Sequence, residues 1–191
     1  MAKKSKGLLI GGIIVAVVIV IIIALVGTYN SLVTTSAQVD EKQAAISTQL
    51  QRRSDLIPNL VNTVKGYAKH EEDVYTAIAD ARSKLSGAGT VSEMSQANEE
   101  LSSALSRLLV VVENYPQLKA NENFTALQDE LAGTENRITV ARNDYNTAAK
   151  NYNVKIRRFP TNIFAGIFGF EKVDYFEAES GAEKVPEVSF E

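Results

Sequence analysis

The chain has 191 residues, 20 of them Lys or Arg and 23 Asp or Glu, with a formal net charge of −3 and no cysteine. Lack of cysteine excludes disulfides, thiol catalysis and Cys-based zinc sites in either redox compartment, and the acidic balance argues against nucleic acid as a partner. Between Asn30 and Arg158 proline is scarce and glycine sparse, while Ala, Leu, Gln, Glu, Asn, Ser and Lys dominate, a helical composition without strand signals.

The stretch Gly7 to Val26, GLLIGGIIVAVVIVIIIALV, has no charged or polar side chain, and fifteen of its twenty residues are Ile, Leu or Val. At about 1.5 Å per residue it crosses the roughly 30 Å hydrocarbon core of a bilayer, so the sequence predicts a transmembrane helix over residues 7–27. A cleaved secretory signal has a shorter apolar region and a small-residue site, which Ala24-Leu25-Val26-Gly27 does not match. Lys3, Lys4 and Lys6 precede the span and the next charge after it is Asp40. The positive-inside bias therefore places residues 1–6 in the cytoplasm and the chain beyond the span outside it, in a single-pass arrangement. Without those three lysines, 17 basic residues face 23 acidic ones, an excess of six negative charges. Gly7 and Gly11 form a GxxxG pair and Gly12 with Ala16 repeats the small-xxx-small spacing. This is either a face for self-association or the ordinary frequency of glycine in membrane helices.

From Tyr29 the apolar or small positions run Val33, Ser36, Val39, Gln43, Ile46, Leu50, Arg53 or Ser54, Ile57, Val61 and Val64, which predicts a long amphipathic helix continuing out of the span. Pro58 lies inside it, so a kink or break is expected near Ser54 to Ile57. Lys65-Gly66 reads as a helix end and Glu71, Glu72 and Asp73 as an acidic first turn, placing the first reversal between Gly66 and His70, with Pro58 as the rival. The second helix carries Val74, Ile78, Ala81 and Leu85 and ends at Ser86-Gly87-Ala88-Gly89. Thr90-Val-Ser-Glu93 fits a capping box that starts the third helix. Its apolar face runs through Met94, Ala97, Leu101, Ala104 or Leu105, Leu108, Val112 and Tyr115 to a stop at Tyr115-Pro116. After a short connection, the fourth helix keeps three-four spacing from Phe124 to Tyr152, a coiled-coil-like pattern that needs partners along its length.

Four helices with short loops make an antiparallel up-and-down bundle over residues 28–158. Counting reversals, the fourth helix returns toward the bilayer near Arg157 and Arg158. The aromatic and glycine-rich segment 159–176 follows, with Phe164, Phe168 and Phe170 prominent. It lies in the membrane interface or covers the open end of the bundle core. Residues 177–191 form an acidic tail expected to be disordered. The pairs Tyr29-Asn30, Tyr145-Asn146 and Tyr152-Asn153 fall at the membrane-proximal end of such a bundle, as boundary or core tyrosines.

Catalytic inventory is thin. His70 is the only histidine, and His70-Glu71-Glu72-Asp73-Val74 lacks the second histidine of a zinc-protease helix. Carboxylate metal sites in bundles use Glu-x-x-His on two helices, which one histidine cannot supply. Arg53, Asp55, Glu113, Asn114 and Arg137 are polar residues interleaved with core positions and read most simply as caps or ion pairs that fix helix register.

The strings LQRRSDLIPNLVNTVKGYAKHE (Leu50 to Glu71), ENYPQLKANENFTALQDEL (Glu113 to Leu131), TENRITVARNDYN (Thr134 to Asn146) and FPTNIFAGIFGF (Phe159 to Phe170) resemble the bacterial LemA family. That resemblance implies one N-terminal membrane anchor and an antiparallel four-helix bundle, and it brings no catalytic residues. The sequence therefore predicts an all-α, non-enzymatic membrane protein, with no cofactor or metal, that acts by self-association or by binding other envelope proteins. A sensory bundle that holds a small ligand between helices is the alternative.

Overall fold

The apolar run and the amphipathic stretch after it form one helix, α1 (Ala2–Lys65), with Pro58 inside it. The other helices are α2 (Glu72–Gly87), α3 (Val91–Val112), the single turn α4 (Pro116–Lys119), α5 (Glu122–Arg157) and α6 (Thr161–Phe168). This computed structural model describes residues 2–177, with side-chain surroundings from Gly11 onward. The acidic tail 178–191 and the side chains of residues 2–10, Gly7 among them, lie outside the described residues. Among the described residues there is no strand.

Two units divide the chain: residues 1–40 with 148–173, and residues 41–147 with 174–191. The predicted bundle region 28–158 thus contributes to both.

In the second unit the core is built from Ile46, Leu50, Ile57, Leu60 and Val64 of α1, Ile78 and Leu85 of α2, Leu101 and Leu108 of α3, and Phe124, Ile138 and Tyr145 of α5, all buried. Each fully buried aliphatic or aromatic side chain contributes about 1.5–3 kcal/mol. Ion pairs such as Lys84–Glu100 and Lys119–Glu113 are exposed and screened by solvent, so packing and not surface charge holds the unit together. Helix directions follow from cross-element contacts. Lys42–Asp144 at 3.6 Å and Arg52–Glu130 at 2.8 Å set α5 antiparallel to α1. Ser47 beside Met94 and Arg53 beside Asn98 set α3 parallel to it.

The chain reverses after Lys65, not at Pro58. Tyr75 holds the reversal: its hydroxyl donates to the Ala68 carbonyl, and the Lys65 ammonium lies 4.9 Å from its ring. Burial, with Glu71 and Tyr115 adding to it, pushes that phenol above its ordinary pKa. The expected break near Ser54 to Ile57 does not occur. A proline at position 58 removes the amide that would bond the Ser54 carbonyl one turn back. Arg82 of α2 replaces it, its Nε donating to Ser54 O at 3.0 Å and to Ser54 Oγ at 3.1 Å. The helix runs on because a neighbour supplies the missing donor.

At the start of α3, Thr90 Oγ1 accepts from the Glu93 amide at 3.2 Å, and the Glu93 carboxylate accepts from the Thr90 and Gly89 amides at 2.9 Å each. Those two amides, Thr90's first, hold the carboxyl below the usual range. The Pro116 connection is itself one helical turn, with proline at the position where a missing amide costs nothing.

In the first unit α1 buries Leu32, Thr35 and Val39, while Tyr29 and Val33 are exposed. The inward face therefore falls one residue away from the predicted positions Val33 and Ser36. The same unit also buries Ala149, Tyr152 and Ile156 of α5 and Ala165 of α6. Lys155 Nζ donates to the Ser31 carbonyl at 2.7 Å and to Thr35 Oγ1. Helix α6 ends at Gly169, in the left-handed region at φ 73°, where the Phe170 amide turns back onto the Ala165 carbonyl at 2.9 Å. The Phe159–Pro160 bond that precedes α6 is cis.

Candidate functional site

One polar layer interrupts the apolar core of the second unit, and Arg53 is its centre. A long cationic side chain is rarely buried without partners, yet Arg53 is only 6% exposed. Its Nη1 donates to Asn98 Oδ1 at 2.6 Å and its Nη2 to Ser102 Oγ at 3.1 Å. Glu135 Oε2 of α5 lies 2.6 Å from Nη1, an ion-pair distance without hydrogen-bond alignment. Ser102 in turn donates to the Asn98 carbonyl at 2.9 Å, which fixes the acceptor side of the cluster. The guanidinium fork thus ties α1 to α3 and α5 at one level, the geometry in which arginine outperforms lysine.

Above this layer a cleft of about 350 Å³ opens between α1, α3 and α5, lined by Leu60, Leu105, Leu109 and Leu131 with Arg53 and Glu135 at its polar end. An apolar wall with one charged pair suits a ligand with an oily body and one polar end.

A second constellation lies along α5. In the second unit Asn146 reads the backbone of Phe176 at two points, donating to its carbonyl at 2.9 Å and accepting from its amide at 2.8 Å. Tyr145 donates to the Asp174 carbonyl at 2.8 Å, and the Arg142 guanidinium sits 4.5 Å from the Phe176 ring and donates to the Glu177 carbonyl. In the first unit Asn153 makes the same paired contact with Val173, at 2.8 and 3.0 Å. Sequence reasoning placed these asparagines beside boundary tyrosines and missed their role. The available signal was their spacing of seven on one helix face, Asn146 and Asn153.

Of the predicted polar residues, only Arg53 is buried. Asp55 is exposed and accepts from Gln51 at 2.8 Å. Glu113, exposed at the C-cap of α3, pairs with Lys119, and Asn114 and Arg137 are exposed. His70 is exposed in the reversal between α1 and α2. Along the span Gly11, Gly12 and Ala16 are exposed, and nothing lies within 4 Å of a Cβ built on either glycine. Phe164 and Phe170 are half-buried and Phe168 is exposed; the latter two meet Tyr29 edge to face, at 5.0 Å for Phe168 and 6.0 Å for Phe170.

A helix apolar enough to cross a bilayer, with none of the described residues of that stretch buried, and running on into a packed helical region, defines a membrane-associated all-α protein. The model of the LemA family matches residues 42–190, and the chain belongs to that family. It is also similar to magnetosome proteins MamQ 2 and MamQ 1 of Paramagnetospirillum magneticum, each 29% identical over 181 residues, covering 81% of this chain. The match spans 66% of the length of those relatives. Protein LemA of Metamycoplasma hominis is 27% identical over 155 residues, with 80% of this chain and 70% of the relative covered.

Proposed function

We propose that this protein is a non-enzymatic, membrane-anchored helical protein that works by association, with copies of itself or with other envelope proteins. Its N-terminus lies in the cytoplasm, and the helical chain beyond the span lies on the outer side of the plasma membrane. The observation that carries the reading is the open small-residue face of the span. Gly12 and Ala16 stand one turn apart on the exposed span with Gly11 beside them, and such small side chains let a second helix approach closely. Two relatives are named for a cellular structure, the magnetosome, and not for a reaction, which fits a role in assembly. Crosslinking of the full chain in membranes tests it. Dimers or higher species that weaken on Gly12→Ile are expected, and recovery of monomer alone removes the reading.

The cleft beside Arg53 and Glu135 favours a second reading, capture of a small amphipathic ligand between α1, α3 and α5. A thermal shift with an aliphatic carboxylate that disappears in Arg53→Met supports it, and no shift with any amphiphile rejects it.

A further inference from the structure

Helix α6 has no charged residue, and its outward face is oily. Ile163 is 50% exposed, Ile167 70% and Phe168 48%, and Phe159 just before the helix is 81% exposed. Its inward face is anchored through buried Ala165. Monomeric soluble proteins rarely leave a contiguous apolar cluster of this kind uncovered. Its place in the first unit indicates what covers it. Phe168 and Phe170 pack on Tyr29, three residues beyond Val26, the last residue of the apolar run. Three residues of helix amount to about 4.5 Å, less than one turn. The bilayer that holds the span therefore reaches its polar boundary at the level of α6. Arg157 and Arg158, both exposed, immediately precede the segment and suit lipid phosphates. Tyr29 itself, partly exposed with an apolar ring and a wet hydroxyl, belongs at such a boundary.

We infer that α6 is a second membrane contact: an interfacial helix that lays Phe159, Ile163, Ile167 and Phe168 among the headgroups and upper acyl chains of the leaflet from which α1 emerges. The inference rests on the anchor reading of the span. One helix alone leaves a protein free to tilt and turn about its axis. A helix in the surface beside it fixes the azimuth of the first unit, so the same side of the chain always faces the lipid. Residue placement favours lipid over a second copy of the chain, because the segment packs on Tyr29 at the end of the span and two exposed cations, Arg157 and Arg158, immediately precede it.

The chain contains no tryptophan, so single substitutions report without background. Ile167→Trp and Phe159→Trp replace exposed side chains, and Ile19→Trp reports on the span. Each full-length variant is reconstituted into phosphatidylglycerol/phosphatidylcholine vesicles whose acyl chains carry bromine either near the headgroup or near the chain end. All three tryptophans should be quenched. Those at 167 and 159 should lose more intensity to the headgroup-proximal bromine, and the one at 19 should be quenched more by bromine placed deeper. Quenching at 19 with water-like, unquenched emission at both 167 and 159 overturns the interfacial helix while leaving the anchor standing. Blue-shifted but unquenched emission at 167 and 159 overturns it in favour of a protein partner. Failure to quench at 19 removes the anchor and the inference together.

Discussion

Replacing Arg82 with alanine should cost more in the native chain than in a chain that carries alanine at position 58. In the native chain Arg82 Nε is the donor for a Ser54 carbonyl whose own helical partner Pro58 has removed, and Ser54 is only 2% exposed. A buried carbonyl stripped of its donor costs about 1–3 kcal/mol. Arg82 is half-buried, so water reaches part of the site and the expected loss is in the lower half of that range. In Pro58→Ala the amide of residue 58 bonds Ser54 O directly, and removal of Arg82 then forfeits only its packing and its contact with Ser54 Oγ. The coupling between the two substitutions is therefore about 1 kcal/mol, within the span measured for residues sharing one hydrogen-bond network. Pro58→Ala alone should stabilise by less than the roughly 3 kcal/mol separating proline from alanine inside a helix, since the native site already compensates the missing donor. Guanidinium unfolding of the four proteins in detergent micelles, followed by helical circular dichroism, gives the cycle. An equal cost for Arg82→Ala in both backgrounds would refute the role of Arg82 as the replacement donor.

Arg53→Met should lower stability by roughly 2–4 kcal/mol, because it strands Asn98 Oδ1 in a site 1% exposed and leaves Glu135 without its cation. Thermal unfolding measures it, and a loss below half a kilocalorie would mean the layer is not buried as described. Asn146→Ala should release the backbone at Phe176 and Asn153→Ala that at Val173, each removing two hydrogen bonds worth about 1 kcal/mol apiece. Hydrogen exchange at those two amides should quicken accordingly, and unchanged protection would sink the assignment. Thr90→Ala should cost about 1 kcal/mol of α3 stability. The Glu93 carboxyl is held below its ordinary pKa in the fold, so its contribution is complete above the unfolded value and is lost as pH falls through the folded one. Glu93→Gln should therefore flatten the acid limb of a stability–pH profile, which chemical denaturation at a series of pH values would show.

Much of the fold is written locally. The apolar run to Val26 demands a membrane helix because no side chain in it can bond water, and Thr90 with Glu93 starts α3 because both partners lie within one turn. The stop after Lys65 and the loop at Gly87 to Gly89 are legible for the same reason: glycine, charge and cap act on neighbours. Resemblance to the LemA family was equally readable, since it rests on strings of consecutive residues.

What the sequence alone left open depends on groups far apart along the chain. Pro58 predicts a break until Arg82, 24 positions later, supplies the donor. Arg53 stands among core positions in the sequence and reads as an ion-pairing residue, but its partners are set only where Asn98, Ser102 and Glu135 converge on it from two other helices. Asn146 and Asn153 are unremarkable helix residues until an extended segment some 20 to 30 positions downstream lays its amides and carbonyls against them. Periodicity specifies which face of a helix turns inward, but only to within a residue, as Leu32 and Thr35 show by taking the place of Val33 and Ser36. A helix face is a matter of local geometry; which polar group meets which depends on the register between helices, and packing in three dimensions sets that register.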